Sequence, residues 1–439
     1  MFETLKNAWK VQDTRKKILY TLLIVIIFRI GCSFITVPFL DTEIIKDWIS
    51  NNSDSVMGYL NVMSGNSMSQ ATVFALGIQP YINASIIIQL LTYALPPLER
   101  LSKEGEEGRK TLNKISAILA FALGIFMSVA FYLIAKNQGA VTHTEGWKGI
   151  FAAVIIIACF VTGSLVVIWL GNRVNEKGIG NGISIILFAG ILARGPKDIW
   201  NIVSLIWQTP SKFALLSPAV LLMFIFMIGF IVFMNNSERR IPIQYAKRVV
   251  GRKQYGGQNT HIPIKVCMSG VMPIIFASAF MSLPATIEMF IPVKTGDDLA
   301  GIDKFYAGFI ALFKTNSWFY AILYFILIIG FNYFYVSMQY NPVEIANNLR
   351  QSNGGIPGIR PGKPTSDFIQ RILSKITLVG AIFLGLIAVF PIFFSMAVPE
   401  MQGLSMQGTS ILIVVSVALE TVRTLESQMM MRHHKGFLE

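Results

Sequence analysis

ATVFALGIQPYINASIIIQLLTYALPP, residues 71–97, is the stretch whose reading decides the fold of this chain. It is apolar enough to enter a bilayer, yet it carries Gln79, Asn83, Ser85 and Gln89, with Pro80 near its start. Polar side chains within a membrane span face protein or water rather than lipid. A proline near the start of a span points to a broken or short helix, tolerated where irregular backbone is buried or lines a cavity. The stretch therefore reads as a helix bordering a path through the membrane. A helix kinked at Pro80 for packing alone is the competing reading.

The rest of the chain agrees with a membrane setting. It is 53% hydrophobic and only 14% charged, with a mean hydropathy of +0.57, whereas soluble domains carry about 25% charged residues. A span needs about 20 apolar residues. Ten stretches qualify, near 18–37, 73–95, 114–135, 150–171, 183–206, 214–234, 266–292, 317–338, 372–394 and 408–426. With the N-terminus inside, the inner segments carry 27 of the 37 Lys and Arg residues and the outer segments 9, with Arg29 in the first span. The positive-inside rule then places both termini in the cytoplasm. The net charge of +13 is thus a topology signal rather than a nucleic-acid footprint, ribosomal RNA at the larger inner loops excepted. The leading MFETLKNAWKVQDTRKK has no short apolar core or cleavage site, so the run from Ile18 reads as a retained span. Cys32, Cys159 and Cys267 lie in or beside apolar runs without a CxxC pair, which favours buried, inert thiols.

Ten spans divide into five and five, and halves with an odd number of spans that share a fold give an inverted repeat. The second span of each half carries a matching run, GIQPYINAS (Gly77–Ser85) and GVMPIIFAS (Gly270–Ser278), identical at five of nine positions. Positions 78, 82, 85 and 89 share one helix face, as do 271, 275, 278 and 282. Each face begins aliphatic, at Ile78 and Ile82 or Val271 and Ile275, and turns polar, at Ser85 and Gln89 or Ser278 and Ser282. Inward aliphatic side chains make a constriction that gates by dewetting. Weakly polar helix contacts part at low cost, at about 0.6 kcal/mol per membrane hydrogen bond. Ahead of the key span, Val56–Gln70 is less polar than an ordinary external loop and too short to cross the bilayer. It folds back into the membrane or lies as a helix on the outer surface.

Several chemistries find no support. GIRPGKPT (Gly358–Thr365) lacks the Walker spacing and places Pro364 after the lysine. There is no HExxH, and His143, His261, His433 and His434 fall in loops or the tail. The spans offer mainly Arg29 and the near-interface Glu288, a poor relay for ion coupling. The inner loops 235–265 and 339–371 are longer than a bundle requires and rich in Gly, Pro and Arg, which suits docking of a large cytosolic partner beyond simple anchoring.

At this point the chain resembles the SecY family over almost its whole length. The matching runs are FRIG (Phe28–Gly31), FALGIQPYINASIIIQLL (Phe74–Leu91), GIGNGISI (Gly178–Ile185), YAKR (Tyr245–Arg248), THIPIKV (Thr260–Val266), PGIRPG (Pro357–Gly362) and GTSILIVV (Gly408–Val415). The resemblance implies an all-α polytopic membrane protein. Its ten transmembrane helices form two inverted five-helix halves, 1–207 and 208–439, as a clamshell around a central pore. It implies a pore ring of Ile78, Ile82, Ile183, Leu187, Ile275 and Ile413, and a plug within 56–72 that includes Leu60, Asn61, Met63, Ser64 and Gly65. It further implies a lateral gate, with Asn83, Ser85, Gln89, Ser278 and Ser282 along it, and cytosolic docking through Arg252, Lys253 and Arg360. The function implied is a non-enzymatic, cofactor-free and metal-free protein-conducting channel in a bacterial plasma membrane, passing unfolded secretory proteins and releasing membrane proteins sideways. The implied partners are SecE and SecG, the SecA motor or the ribosome, signal sequences, unfolded polypeptide and the bilayer. A substrate-specific secondary transporter built on inverted repeats is the alternative, and a poreless scaffold a third. The sequence departs from the family after FRIG, which is followed by an apparent extra residue. It departs again at Asn66, where a second glycine is usual, and at Gln70, where a basic residue is common. The geometry of the plug is the expectation these departures bear on.

Overall fold

The computed structural model describes residues 9–51, 61, 64–208, 210–245, 248–250, 253–255, 259–284, 287, 301–313, 317–397 and 408–435. The first half runs α1 (Gln12–Phe34), the short α2 (Thr42–Asn51), α3 (Gln79–Ala94), α4 (Pro96–Lys103), α5 (Glu106–Asn137), α6 (Gly146–Lys177) and α7 (Gly182–Gln208). The second runs α8 (Pro210–Asn236), four strands β1 (Glu238–Tyr245), β2 (Arg248–Val250), β3 (Lys253–Tyr255) and β4 (Asn259–Lys265), then α9 (Met272–Met281) and α10 (Gly301–Leu312). It closes with α11 (Trp318–Gln339), α12 (Pro342–Gln351), β5 (Gly354–Gly355), α13 (Lys363–Ala397) and α14 (Gly408–Lys435).

Among the described residues, six helices are long and apolar enough to cross a membrane, seven if the bent pair α3–α4 counts as one, and α9 is a shorter apolar helix. The long helix α7 carries Arg194, Lys197 and Asp198 in its middle. Helices α5 and α6 have 32 residues each, about 48 Å at 1.5 Å per residue, more than a hydrocarbon core of about 30 Å requires. Bands of Leu and Ile on α1 and of Phe on α8 stay exposed, as lipid-facing surfaces do, and Trp147, Trp207 and Trp318 stand exposed at helix ends. The fold is a ten-helix membrane protein of two inverted five-helix sets: α1, α3, α5, α6 and α7, then α8, α9, α11, α13 and α14.

The repeat seen in the sequence is a repeat of backbone. Gly77 and Gly270 both take left-handed φ, +52° and +59°. The next residues, Ile78 and Val271, are helix N-caps, and Pro80 and Pro273 fall in the first turns of α3 and α9. A proline there loses no hydrogen bond, because first-turn N–H groups have no intrahelical acceptor. Pro80 therefore starts a helix and does not kink one, which corrects the packing-kink reading. The spans expected at 73–95 and 266–292 become helical only at Gln79 and Met272. At its other end α3 meets α4 at 102°, where Pro96 and Pro97 follow Leu95 in extended conformation.

Three cores divide the chain. One draws on α2, α5, α6 and residues 68–76 of the first half. Another joins α8, α9, α11, α13 and α14 of the second. A third takes residues from both. The inner loops are more ordered than loops: β1 pairs antiparallel with β4, Ile241 opposite Ile262, in the order β4-β1-β5. Ile241 and Ile243 alternate inward along β1 and bury against Ala346, Leu349, Ile356, Ile369 and Leu373. The all-α description thus holds for the membrane part, while the segment projecting from it is a hairpin on its own small core.

Candidate functional site at the junction of the two halves

Residues 64–78 run towards α3 as successive turns, mostly buried. Left-handed φ at Gly65 (68°), Asn66 (69°), Ala71 (46°) and Gly77 (52°) keeps the segment from becoming helical. Its backbone is satisfied by its surroundings: Val37 N–H donates to Ala71 O (2.9 Å), Val73 N–H to Ile35 O (2.9 Å), and Ser164 Oγ of α6 to Gly77 O (3.1 Å). A Cβ on Gly163 would lie 1.9 Å from Val73 O, so α6 approaches the segment as closely as a glycine permits. Of the two options for this region, the described part is re-entrant, held among spanning helices, and not a surface helix. Asn61, Ser64 and Gly65 sit here, buried, whereas Leu60 and Met63 lie outside the described residues. Asn66 adopts the conformation a second glycine would have taken, and asparagine is among the side chains that tolerate it. Its Oδ1 accepts from Asn61 Nδ2 (3.1 Å), while Asn61 Oδ1 accepts from Ser69 N–H (2.9 Å). Gln70 is exposed.

Two arginines reach this turn. Arg29 Nη1 of α1 donates to Gly65 O (3.2 Å) and Arg194 Nη1 of α7 to Asn66 Oδ1 (3.3 Å). Asp198, 2% exposed one helical turn on, accepts at 3.5 Å from Arg194 Nε. An arginine at mid-span costs about 2.5–3.5 kcal/mol on insertion scales, so inward acceptors are required. The expectation that Arg29 and Glu288 dominate the intramembrane charge needs correction: α7 holds a half-buried Arg194 paired with a buried Asp198, and Glu288 lies outside the described residues.

Just beyond the turn, the third core gathers side chains from opposite ends of the chain. Ile78, Ile82, Leu187, Ile275 and Ile413 are all buried in one cluster, with Ile183 packed against it. The second half enters through Ile275 and Phe276 of α9 and Ile413 and Val417 of α14. All six residues expected at the pore ring are thus brought together. Residues i, i+4 and i+8 of α3, namely Ile78, Ile82 and Ile86, supply one wall.

The faces flanking this cluster differ in how firmly they hold. On one side α7 runs into α8 with extensive packing, and α14 packs on α7 as well. On the other, α3 packs mainly on α5, and α9 on α11. There the two halves meet through the aliphatic cluster and an edge-to-face pair, Tyr93 with Phe334, 5.4 Å between centroids. The polar residues expected on this seam make bonds within their own helices. Gln89 Nε2 donates to Ser85 Oγ (3.3 Å), Ser278 Oγ to Ile275 O (2.9 Å) and Ser282 Oγ to Ala279 O (2.7 Å). Asn83 Oδ1 is buried without a hydrogen-bond partner.

The SecY family model matches residues 72–422. The chain is 38% identical to the SecY protein translocase subunit of Streptomyces coelicolor, and 38% identical to that of Mycobacterium tuberculosis, over the whole of each chain. The chain belongs to the SecY family. Its backbone superposes on a protein-conducting channel with a TM-score of 0.63 at 19% identity, over 94% of this chain and 92% of the other. A SecY structure in which the plug domain is described as stabilising the closed channel and maintaining a membrane seal scores 0.62 at 19% identity, with the same coverage. Sec61 in a canine ribosome–channel complex scores 0.58 at 17%, again over 94% and 92%.

At the hairpin end of this SecY-family chain, Arg360 is exposed in the turn between β5 and α13, its carbonyl accepting from Thr365 Oγ1 (2.9 Å). Gly358 and Gly362, with φ of 81° and 104°, shape that turn. Lys253 opens β3, and Arg252 lies outside the described residues. At the base of the hairpin, burial and the Arg423 charge lower the Lys265 ammonium below its usual range, against the pull of Glu238 and Glu420. Arg423 itself crosses from α14 to cap α8, donating to Asn235 O and Asn236 Oδ1, both at 2.8 Å. Sequence reasoning missed Arg194, counting it with the outer charges. An i,i+4 Arg–Asp pair inside an apolar helix was the signal that marks it as inward-facing.

Proposed function

We propose that this translocase subunit conducts unfolded polypeptide through the junction of its halves, 1–207 and 208–439, with Ile78, Ile82, Ile183, Leu187, Ile275 and Ile413 as the seal. The observation that carries the reading is the aliphatic cluster itself: it is the meeting point of α3, α7, α9 and α14, contributed by both inverted sets. A constriction lined by branched aliphatic chains excludes water by dewetting yet closes around any side chain, because it offers no directional bonds. The mostly buried turns of residues 64–72 belong to the plug in this reading, stacked on the seal. The seam of α3 against α9 and α11, held by the Tyr93–Phe334 pair and lined by Asn83, Ser85, Gln89, Ser278 and Ser282, is the lateral exit, with the α7–α8 connection as hinge.

The chain has no nucleotide motif, so it works as a non-enzymatic conduit driven by a partner. The hairpin β1–β4, Lys253 of β3 and the exposed Arg360, together with Arg252, are the docking platform for SecA or the ribosome, and SecE and SecG complete the complex. The setting is the plasma membrane of a bacterium, both termini cytoplasmic. The secondary-transporter alternative lacks support, since the curated relatives are named translocase subunits. The test is crosslinking of a stalled secretory precursor to single cysteines at Ile82 and Ile275. Adducts at both are expected. Their absence in folded protein rejects the path.

A further inference from the structure

The geometry points to a two-arginine latch: Arg29 of α1 and Arg194 of α7 are positioning residues that clamp the turn at Gly65 and Asn66 against Gly190, and release of this clamp is the first step of opening. The inference rests on the reading of that turn as the plug. The two guanidinium groups come from different helices and grip consecutive residues, Gly65 through its carbonyl (3.2 Å) and Asn66 through its side chain (3.3 Å). Between them the backbone has no spare room: a Cβ on Gly65 would lie 2.7 Å from Arg29 Nη1 and 3.0 Å from the Gly190 backbone. Arg194 is aimed by Asp198, whose carboxylate lies 3.5 Å from its Nε. Asn66 passes the hold into the turn through Asn61, 3.1 Å away.

The chemistry of the acceptors makes this a latch and not a rivet. Both arginines hold neutral oxygens, so each bond is charge-assisted on one side only, and a full ion pair is not formed. When the turn leaves, Arg194 keeps Asp198 and Arg29 meets the water that fills the opened path, so neither cation is stranded. Asn66 also acquires a purpose. A glycine there satisfies the φ of +69° equally well but offers Arg194 no side-chain acceptor. The departure at position 66 and the arginine at 194 are therefore matched parts of one contact.

The experiment uses the full chain in proteoliposomes, with its native cysteines replaced and a single Ser64→Cys labelled by a membrane-impermeant maleimide from the outer side. Arg194→Gln and Asn66→Gly should each speed labelling about tenfold. The double variant should be no faster than the faster single, since both remove one contact. Asn66→Asp, which completes an ion pair, should slow labelling at least threefold below the parent, a gain that loss of packing does not produce. Unchanged rates in the single variants, multiplying effects in the double, or faster labelling of Asn66→Asp overturn the latch. A translocating precursor separates the two levels. If it raises Ser64→Cys labelling while the variants track the parent, the latch alone fails. If it leaves labelling unchanged, the plug reading fails and takes the latch with it.

Discussion

Ile82→Ala and Ile275→Ala, singly and together, test the seal most directly. Both side chains are buried, 8% exposed each, in the cluster shared by the two halves. Each substitution removes about three carbon groups from the constriction, and at about 0.8 kcal/mol per group the cost of wetting it falls by about 2.4 kcal/mol. At 1.4 kcal/mol per tenfold, that raises the hydrated population about 50-fold. The double variant approaches about 3,000-fold as a ceiling, because residues of one cluster couple and their effects do not simply add. The assay is the conductance of idle channels in planar bilayers, with thermal unfolding measured in parallel. Ile328→Ala is the control: Ile328 is fully buried, but in the core belonging to the second half alone. It should destabilise by about 2–5 kcal/mol, as large-to-small core changes do, without a leak. Conductance that stays within about twofold of the parent in the folded double variant, or an equal leak from Ile328→Ala, refutes the sealing argument.

Two further outcomes follow from the seam and the cytosolic platform. Edge-to-face pairs contribute about 0.5–1.5 kcal/mol beyond burial, so Tyr93→Ala should raise spontaneous lateral opening by about two- to tenfold. Crosslinking between cysteines on α3 and α11 reads this, and an unchanged crosslinking yield removes the pair from the gate. Arg360→Glu should weaken motor-driven translocation while the protein remains stable, because the side chain is exposed and the turn is held by backbone and glycine geometry. Equal loss of folded protein and of transport would assign Arg360 a structural role instead.

The sequence was most legible where backbone chemistry is local. Gly77–Ile78–Gln79–Pro80 and Gly270–Val271–Met272–Pro273 specify a left-handed residue, a cap and a first-turn proline, and both start helices as that chemistry requires. What went astray was the meaning of Pro80, read as a possible kink because hydropathy counts residues 73–78 as span. Those residues are apolar because they are buried by α1 and α6, not because they are helical. The hairpin β1–β4 escaped for a different reason. Its strands carry arginines and prolines on the outward face, and the inward alternation is only two residues long on each, Ile241 and Ile243 on β1 and Ile262 and Ile264 on β4. That is too short an alternation to stand out until Ala346 and Ile369 supply the surface beneath it.

The sequence by itself determined that this chain lies in a membrane and that its halves carry an inverted repeat, while its resemblance to the SecY family singled out the six aliphatic residues that the structure gathers into one cluster. Hydropathy, charge asymmetry and a repeated nine-residue run are written along the chain and need no partner to be read. Only the tertiary structure decided how the segment before α3 is held. Arg29, Gly65, Asn66, Gly190 and Arg194 are distant in sequence and converge on one turn. A guanidinium inside a bilayer must find an acceptor, but the sequence does not say which of many carbonyls will be within reach. That choice is made by the packing of α1, α6 and α7 around the turn.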